Sequence, residues 1–262
     1  MRRLVGSLLW ISQSTRPDIT TITNMLAQYQ TNPSLQHIEA ARRVIRYLKS
    51  TRDLTLRFQS HPSDSIDAYL NFPVDPQHLT ALSDANWGPQ DQSKPSKYTK
   101  NKRLPLFQTR SVSGYIIMLA NGPIMWSSKR QNITARSSAE AEIYATDECT
   151  KCIQILCHLR SDLSLPSATS TVPIYNDNQA CVIWSHSSTS KGLRHIQIKE
   201  NVVRENVANK TISISHVEGK VNIADIFTKE DKDLNHFLSI RNLLLFDPPT
   251  YSPANRALYV SV

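Results

Sequence analysis

The stretch "RSSAEAEIYATDE", Arg136 to Glu148, places Glu140 and Glu142 near the start of a segment with helical apolar spacing. Residues two apart on a helix point about 200° from each other, because each residue turns the chain by about 100°. The two glutamates therefore cannot serve one site. In steps of three and four, Glu142 lies in line with Ala145, Cys149, Cys152, Ile153 and Leu156, the stripe expected to face a sheet. Glu140 lies in line with Tyr144, Asp147, Glu148 and Lys151 and is expected to face water. A carboxylate on a buried stripe is costly unless its pKa shifts or a cation meets it. Glu142 is the first candidate for chemistry.

Around this helix the grammar is that of short strands and helices. "HLTALSD" reads as a strand ending at Asp84, and "SGYIIMLANGPIMWSS" as a hairpin turning at Asn121-Gly122-Pro123. "STVPIYND" is a strand ending at Asp177, "LRHIQIKENVVRENVANK" a basic amphipathic helix, "TISISHV" a strand, and "NIADIFTKE" a short helix holding Asp225. This order predicts a mixed sheet with helices packed on it, an α/β (α+β) fold.

Towards the N-terminus, residues 1–58 carry helical spacing interrupted by Pro17 and Pro33. The best case there is "PSLQHIEAARRVIRYLKST", with Ile38, Ala41, Val44, Ile45 and Leu48 on one face and a Ser34 cap. The Pro-rich, Ser- and Asp-bearing stretch 59–77 reads as a linker. The folded unit then runs over 78–230, and 231–262 is a C-terminal helix and tail.

Strand ends in mixed sheets gather sites, so Asp84 and Asp177 are candidates alongside Glu142 and Asp225. Each has an ordinary reading. Asp84 can open the Asn86-Trp87-Gly88 turn, Asp177 can cap a helix starting at Asn178, and Asp225 can sit favourably on the dipole of a helix capped by Asn222. Only the set is informative.

The 262 residues carry 30 Lys+Arg against 22 Asp+Glu, a net charge of +8 that favours a polyanionic partner. The loop from Pro89 to Arg110 has six basic residues and one acidic one. Four cysteines are few for a disulfide scaffold, and the Cys149/Cys152 pair has no second CxxC or HxxxH at zinc-finger spacing. No apolar run approaches the roughly 20 residues needed to cross a bilayer. "MRRLVGSLLWIS" imitates a secretory leader but lacks a small-x-small cleavage site, so the chain is expected to be intracellular, cytoplasmic or nuclear, and not secreted.

The ordered segments "SDANWG", "SGYIIMLANGPIMWSSKRQNITARSSAEAEIYA", "IYNDNQA", "RHIQIKENVVRE" and "HVEGKVNIADIFTK" closely resemble the ribonuclease H domain at the end of copia-like retrotransposon polyproteins. The resemblance covers roughly Thr80 to Lys229 and implies a five-stranded ribonuclease H-like sheet flanked by helices. It places the family's carboxylate quartet on Asp84, Glu142, Asp177 and Asp225. The segments "LVGSLLWISQSTRPDITTITNMLAQYQ" and "HIEAARRVIRYLKSTRDLTLRF" are similar to the part that follows the reverse transcriptase palm. The polymerase motif of an aromatic residue followed closely by paired aspartates is absent from the chain, so no polymerase activity is expected, and Met1 reads as a start inside a truncated element or as an imposed gene-model boundary.

The activity implied is metal-dependent hydrolysis of the RNA strand of RNA–DNA hybrids, using two Mg²⁺ ions about 4 Å apart with Mn²⁺ as a substitute. Asp84 is expected to bridge both ions, Glu142 and Asp177 to hold one, and Asp225 the other. Lys191, Arg194 and His195, with the Lys94–Arg103 loop, are the candidates for phosphate contact. His216 is read as a strand residue and not as a general base. The alternative is a catalytically inactive remnant, or one co-opted to bind nucleic acid.

Overall fold

The computed structural model describes residues 1–87, 110–165, 170–187, 197–229 and 233–247. The Lys94–Arg103 loop and the trio Lys191, Arg194 and His195 lie outside the described residues.

Five strands form one mixed sheet: β1 (Thr80–Asn86), β2 (Val112–Leu119), β3 (Gly122–Arg130), β4 (Val172–Asn176) and β5 (Ile212–His216), in the order β3-β2-β1-β4-β5. The β1–β2 and β2–β3 pairs are antiparallel, while β1–β4 and β4–β5 are parallel. β1 is central and buried along its first six residues, as a strand covered on both faces must be.

Alternation along the strands sends side chains to two separate cores. Leu82, Ile116 and Met118 point to one face, where they meet Ile223 and Phe227 of a 3₁₀ segment (Ile223–Phe227) and Ile240 and Leu244 of the C-terminal helix (Leu234–Leu244). The 59–77 stretch, expected to be a linker, contributes to the same core. It holds a helix, Asp64–Leu70, whose Ile66 and Leu70 are buried there. Ala81, Ile117, Ile174 and Ile214 point to the other face. They meet Cys149 and Ile153 of the long helix Ser138–Asp162 and Val203 of the helix Gln197–Ala208. Cys149 and Cys152 are accounted for by this core: both are free thiols, and the Tyr115 hydroxyl lies 3.0 Å from Cys152 Sγ.

The hairpin turns one residue earlier than the Asn-Gly-Pro signal suggests. Ala120 and Asn121 form the loop, with φ of 53° and 60°, the doubly positive pattern that suits the twist of a tight hairpin. Gly122 opens β3 instead, because a Cβ there would lie 2.5 Å from the Arg57 carbonyl oxygen. Pro123 is tolerated because β3 is an edge strand.

The N-terminal helices Arg2–Ser14, Thr20–Ala27 and Leu35–Ser50 share a cluster of Val5, Leu8, Ile19, Leu26, Ala41 and Val44. The apolar opening of the chain is thus one face of a packed helix. Ser34 caps the third helix as expected, but Ile45, placed on its apolar face by spacing, is 42% exposed. Arg16 and Asp18 form a buried ion pair beside this cluster, at 2.7 Å. Two bonds tie these helices to the sheet unit: Trp126 Nε1 donates to the Ser12 carbonyl at 2.8 Å, and the Thr21 hydroxyl donates to the Ile226 carbonyl at 2.6 Å.

Gly114 of β2 lies opposite Asp84, and its missing side chain is what lets the 3₁₀ segment lie against the strand. A Cβ at this position would sit 2.6 Å from Thr228 Cγ2 and 2.8 Å from Phe227 Cβ. Gly114→Ala is therefore expected to cost about 1–3 kcal/mol by overpacking. Thermal melts of the variant check this, and an unchanged midpoint would contradict it.

A candidate metal centre of acidic residues

β1 and β4 are parallel neighbours in a register that pairs Ser83 with Asn176. The next residue after each is an aspartate, so Asp84, within β1 two residues before its end, and Asp177, just past the end of β4, lie side by side. The 3₁₀ segment brings Asp225 to the same place. Carboxylate oxygens of Asp84, Asp177 and Asp225 lie within 4.8 Å of one another. Glu142, in the first turns of the long helix, is not one of the three whose oxygens gather this closely; burial, followed by the charges of Asp84 and Asp177, raises its pKa. Its Oε2 accepts a hydrogen bond from Asn176 Nδ2 at 2.9 Å, which sets it to one side of the three aspartates.

The ordinary alternatives for these residues fall away for local reasons. Asn178, not Asp177, caps the following helix, its side chain accepting from the Cys181 amide at 3.0 Å. Asp84 lies within β1 and opens no turn. Asn222 caps the 3₁₀ segment, accepting from the Ala224 amide at 3.1 Å, so Asp225 is not needed there as a cap. His216 ends β5 and is exposed, as its strand reading implied.

Glu140 corrects the expectation from periodicity. It is 8% exposed, and its carboxylate accepts from the Arg136 amide at 2.6 Å while Ser137 Oγ accepts from the Glu140 amide. Tyr144 and Asp147 on the same face are also buried. The 131–136 segment folds over this end of the helix, with Gln131 Nε2 bonded to the Ala141 carbonyl at 2.9 Å, and so removes the solvated side. Ser137 three residues before Glu140 marks the start of the helix but not this cover, and Glu140 takes the Arg136 amide instead of closing a capping box on Ser137.

Several polar residues of the site were not singled out by the sequence. Asn176 is fully buried and bridges Ser83 and Glu142, and Asn222 Nδ2 donates to the Ser83 carbonyl at 3.1 Å. The Thr228 hydroxyl donates to Asp84 Oδ2. Lys229 Nζ lies 2.6 Å from Asp225 Oδ1 and 3.6 Å from Asp84 Oδ1. The spacing of Asp225 and Lys229, four residues apart in a helical segment, is a signal that could have found the pair.

Burial, followed by the charges of Asp225 and Asp177, pushes the Asp84 pKa up to about 7, even though Lys229 and Thr228 work to lower it. Burial and the Asp84 charge push Glu142 up to about 9. Asp225 is raised as well, mainly by burial, with Lys229 opposing. In the unfolded chain these groups ionise near their ordinary values, whereas the folded chain holds their protons longer. Their contribution to stability is complete at acid pH and is lost as pH rises through about 7 for Asp84 and about 9 for Glu142. In EDTA, denaturant titrations should therefore show a less stable chain at pH 8 than at pH 6. Glu142→Gln should flatten that dependence, and higher stability at pH 8 would contradict the assignment.

The donor set is one of hard oxygens, partly or wholly removed from water and mutually repelling, which suits Mg²⁺ or Mn²⁺ and not a soft metal. Among the described residues, no helix is long and apolar enough to cross a membrane.

No family model matches the chain. It is 30% identical over 230 residues to the retrovirus-related Pol polyprotein from transposon RE1 of Arabidopsis thaliana, covering 87% of this chain and 14% of that protein. Its identity to the corresponding polyprotein from transposon TNT 1-94 of Nicotiana tabacum is 29% over 226 residues, covering 86% of this chain and 15% of that one. Among solved structures, LC11-RNase H1 in complex with an RNA/DNA hybrid superposes with a TM-score of 0.39 at 14% identity, covering 57% of this chain and 93% of that chain. The chain thus spans about one seventh of the length of these polyproteins. Over most of its length the chain is thus similar to a stretch of the copia-type retrotransposon Pol polyproteins.

Proposed function

We propose that the chain is a metal-dependent endonuclease that hydrolyses the RNA strand of RNA–DNA hybrids. The observation that carries this reading is the convergence of Asp84, Asp177 and Asp225 oxygens within 4.8 Å. Similarity to the Pol polyproteins supports the substrate class.

In this reading Asp84, Glu142, Asp177 and Asp225 would hold two Mg²⁺ ions. Bound there, the ions supply a nucleophilic water at neutral pH and neutralise charge on the phosphate and the leaving 3′ oxygen. The remaining work belongs to the chain. Thr228 orients Asp84 by donating to its Oδ2. Asn176 holds Glu142 in place and is itself fixed by Ser83. The half-exposed Asp177 lies on the solvent side, where a phosphodiester arrives. Lys191, Arg194 and His195 are the proposed phosphate contacts, following backbone and 2′-hydroxyls in preference to base edges.

The organisation proposed with it is a post-palm helical segment over 1–58, a connecting stretch over 59–77, the nuclease unit over 78–230 and a C-terminal helix and tail over 231–262. The chain would act within the cell, in cytoplasm or nucleus, on nucleic acid and not at a membrane.

Incubating the purified chain with a labelled hybrid and Mg²⁺ tests the function. Cleavage confined to the RNA strand and stopped by EDTA is the expected result. No cleavage at any Mg²⁺ or Mn²⁺ concentration would leave the inactive remnant as the better description.

A further inference from the structure

Three acidic side chains held this close repel one another, and removal from water makes the repulsion worse. The structure meets that cost with a cation of its own. Lys229 Nζ is 2.6 Å from Asp225 Oδ1 and 3.6 Å from Asp84 Oδ1. The other oxygens are engaged elsewhere: Asp84 Oδ2 takes the Thr228 hydroxyl, and Asp225 Oδ2 lies 3.6 Å from His236 Nε2. The ammonium therefore takes the remaining oxygen of each aspartate, Asp225 Oδ1 and Asp84 Oδ1.

Its backbone is pinned, the Lys229 amide donating to the Asp225 carbonyl at 3.0 Å, but its side chain is 42% exposed against 2% for Asp84. A compact charge on a flexible four-carbon stem can leave such a place without unfolding anything around it.

We propose that Lys229 is a built-in counter-cation of the carboxylate cluster, seated between Asp225 and Asp84, which must vacate that seat for a divalent ion to enter. The inference rests on the reading of the cluster as a cation site. An ammonium and a divalent ion cannot occupy the same two oxygens, so entry of the ion is an exchange and not a simple addition. Lys229 keeps the empty cluster assembled, and it weakens the apparent affinity for the ion by the free energy needed to move it.

Binding of Mn²⁺ to the full chain, followed by the electron paramagnetic resonance of the free ion, tests this without reference to cleavage. Lys229→Met should tighten Mn²⁺ binding about tenfold, as expected for removing a unit charge a few ångströms from the ion. It should also lower the melting temperature in EDTA. Lys229→Arg, which keeps the charge, should bind no more tightly than the parent. Lys49→Met removes the same charge from an exposed position on the third N-terminal helix and should change nothing.

Equal or weaker binding by Lys229→Met overturns the proposal, as does equal tightening by Lys49→Met. If Lys229→Met does not fold, Lys229→Gln is judged by the same criteria. If neither folds in EDTA, recovery of folding on adding Mn²⁺ supports the exchange, and lack of recovery overturns it. Absence of Mn²⁺ binding in the parent and in every variant would remove the cation-site reading itself. Parent binding without a Lys229 effect removes only the present inference.

Discussion

Asp84→Asn is expected to lower hybrid cleavage by at least about a thousandfold, the scale of losing a principal electrostatic element of a site. The same substitution should leave the melting temperature in EDTA unchanged or higher. The two effects have opposite signs for one reason. The Asp84 side chain is 2% exposed, and burial together with the charges of Asp225 and Asp177 pushes its pKa up to about 7. Near neutral pH the fold carries that negative charge at a cost. Asparagine keeps the shape and an oxygen to accept from Thr228, so the packing of β1 against the 3₁₀ segment is preserved. It removes the anionic oxygen that a hard divalent cation needs. Asp177→Asn should lose as much activity with little change in stability, since Asp177 is only half-buried. Cleavage assays and thermal melts on the same preparations decide the matter. If Asp84→Asn loses activity only in proportion to a fall in melting temperature, the residue acts through the fold and the site assignment is wrong.

Asp18→Ala is expected to destabilise the chain by about 3–5 kcal/mol, the range for removing one partner of a buried ion pair. Arg16 would be left buried, 5% exposed, with its Nε and one terminal nitrogen deprived of their carboxylate at 2.9 and 2.7 Å. Its bonds to the Thr51 carbonyl and hydroxyl and its place over the Tyr47 ring would remain. The Tyr47 hydroxyl, which donates to Asp18 Oδ2 at 2.6 Å, would lose its acceptor as well. For a chain of this size the loss corresponds to a fall in melting temperature on the order of 10 °C. Circular dichroism melts measure the fall, and a change within a degree or two would show that the pair is replaceable.

The variant also probes how the N-terminal helices and the sheet unit depend on each other. Thr21 donates to the carbonyl of Ile226, the residue after Asp225, and Trp126 donates to Ser12. Tyr47 stacks edge-on with Phe237, and Thr55 bridges to Phe246. With such ties a single cooperative transition is expected, in place of early loss of the helices alone.

The amino-acid sequence by itself determined the helix around Glu142 and the alternating strands, because these follow from periods of 3.6 and 2 that each segment carries locally, while the four acidic candidates came from a helix face, two strand ends and a short helix and were joined as a set only by the family resemblance. It also singled out Glu142 over Glu140 as the residue turned toward the sheet. Tertiary structure alone decided the surroundings. Glu140 reads as solvated from its own helix, yet the 131–136 segment covers it, and no pattern within the helix records a segment folded over from outside. The 59–77 stretch has a linker's composition, and only the shape of the core under β2 shows that Ile66 and Leu70 fill it. The gathering of Asp84, Asp177 and Asp225 depends on the parallel register of β1 and β4 and on Gly114 leaving room for the 3₁₀ segment. Those relations join residues 30 to 140 positions apart in the chain, and they arise only when long-range pairing and close packing bring the segments together.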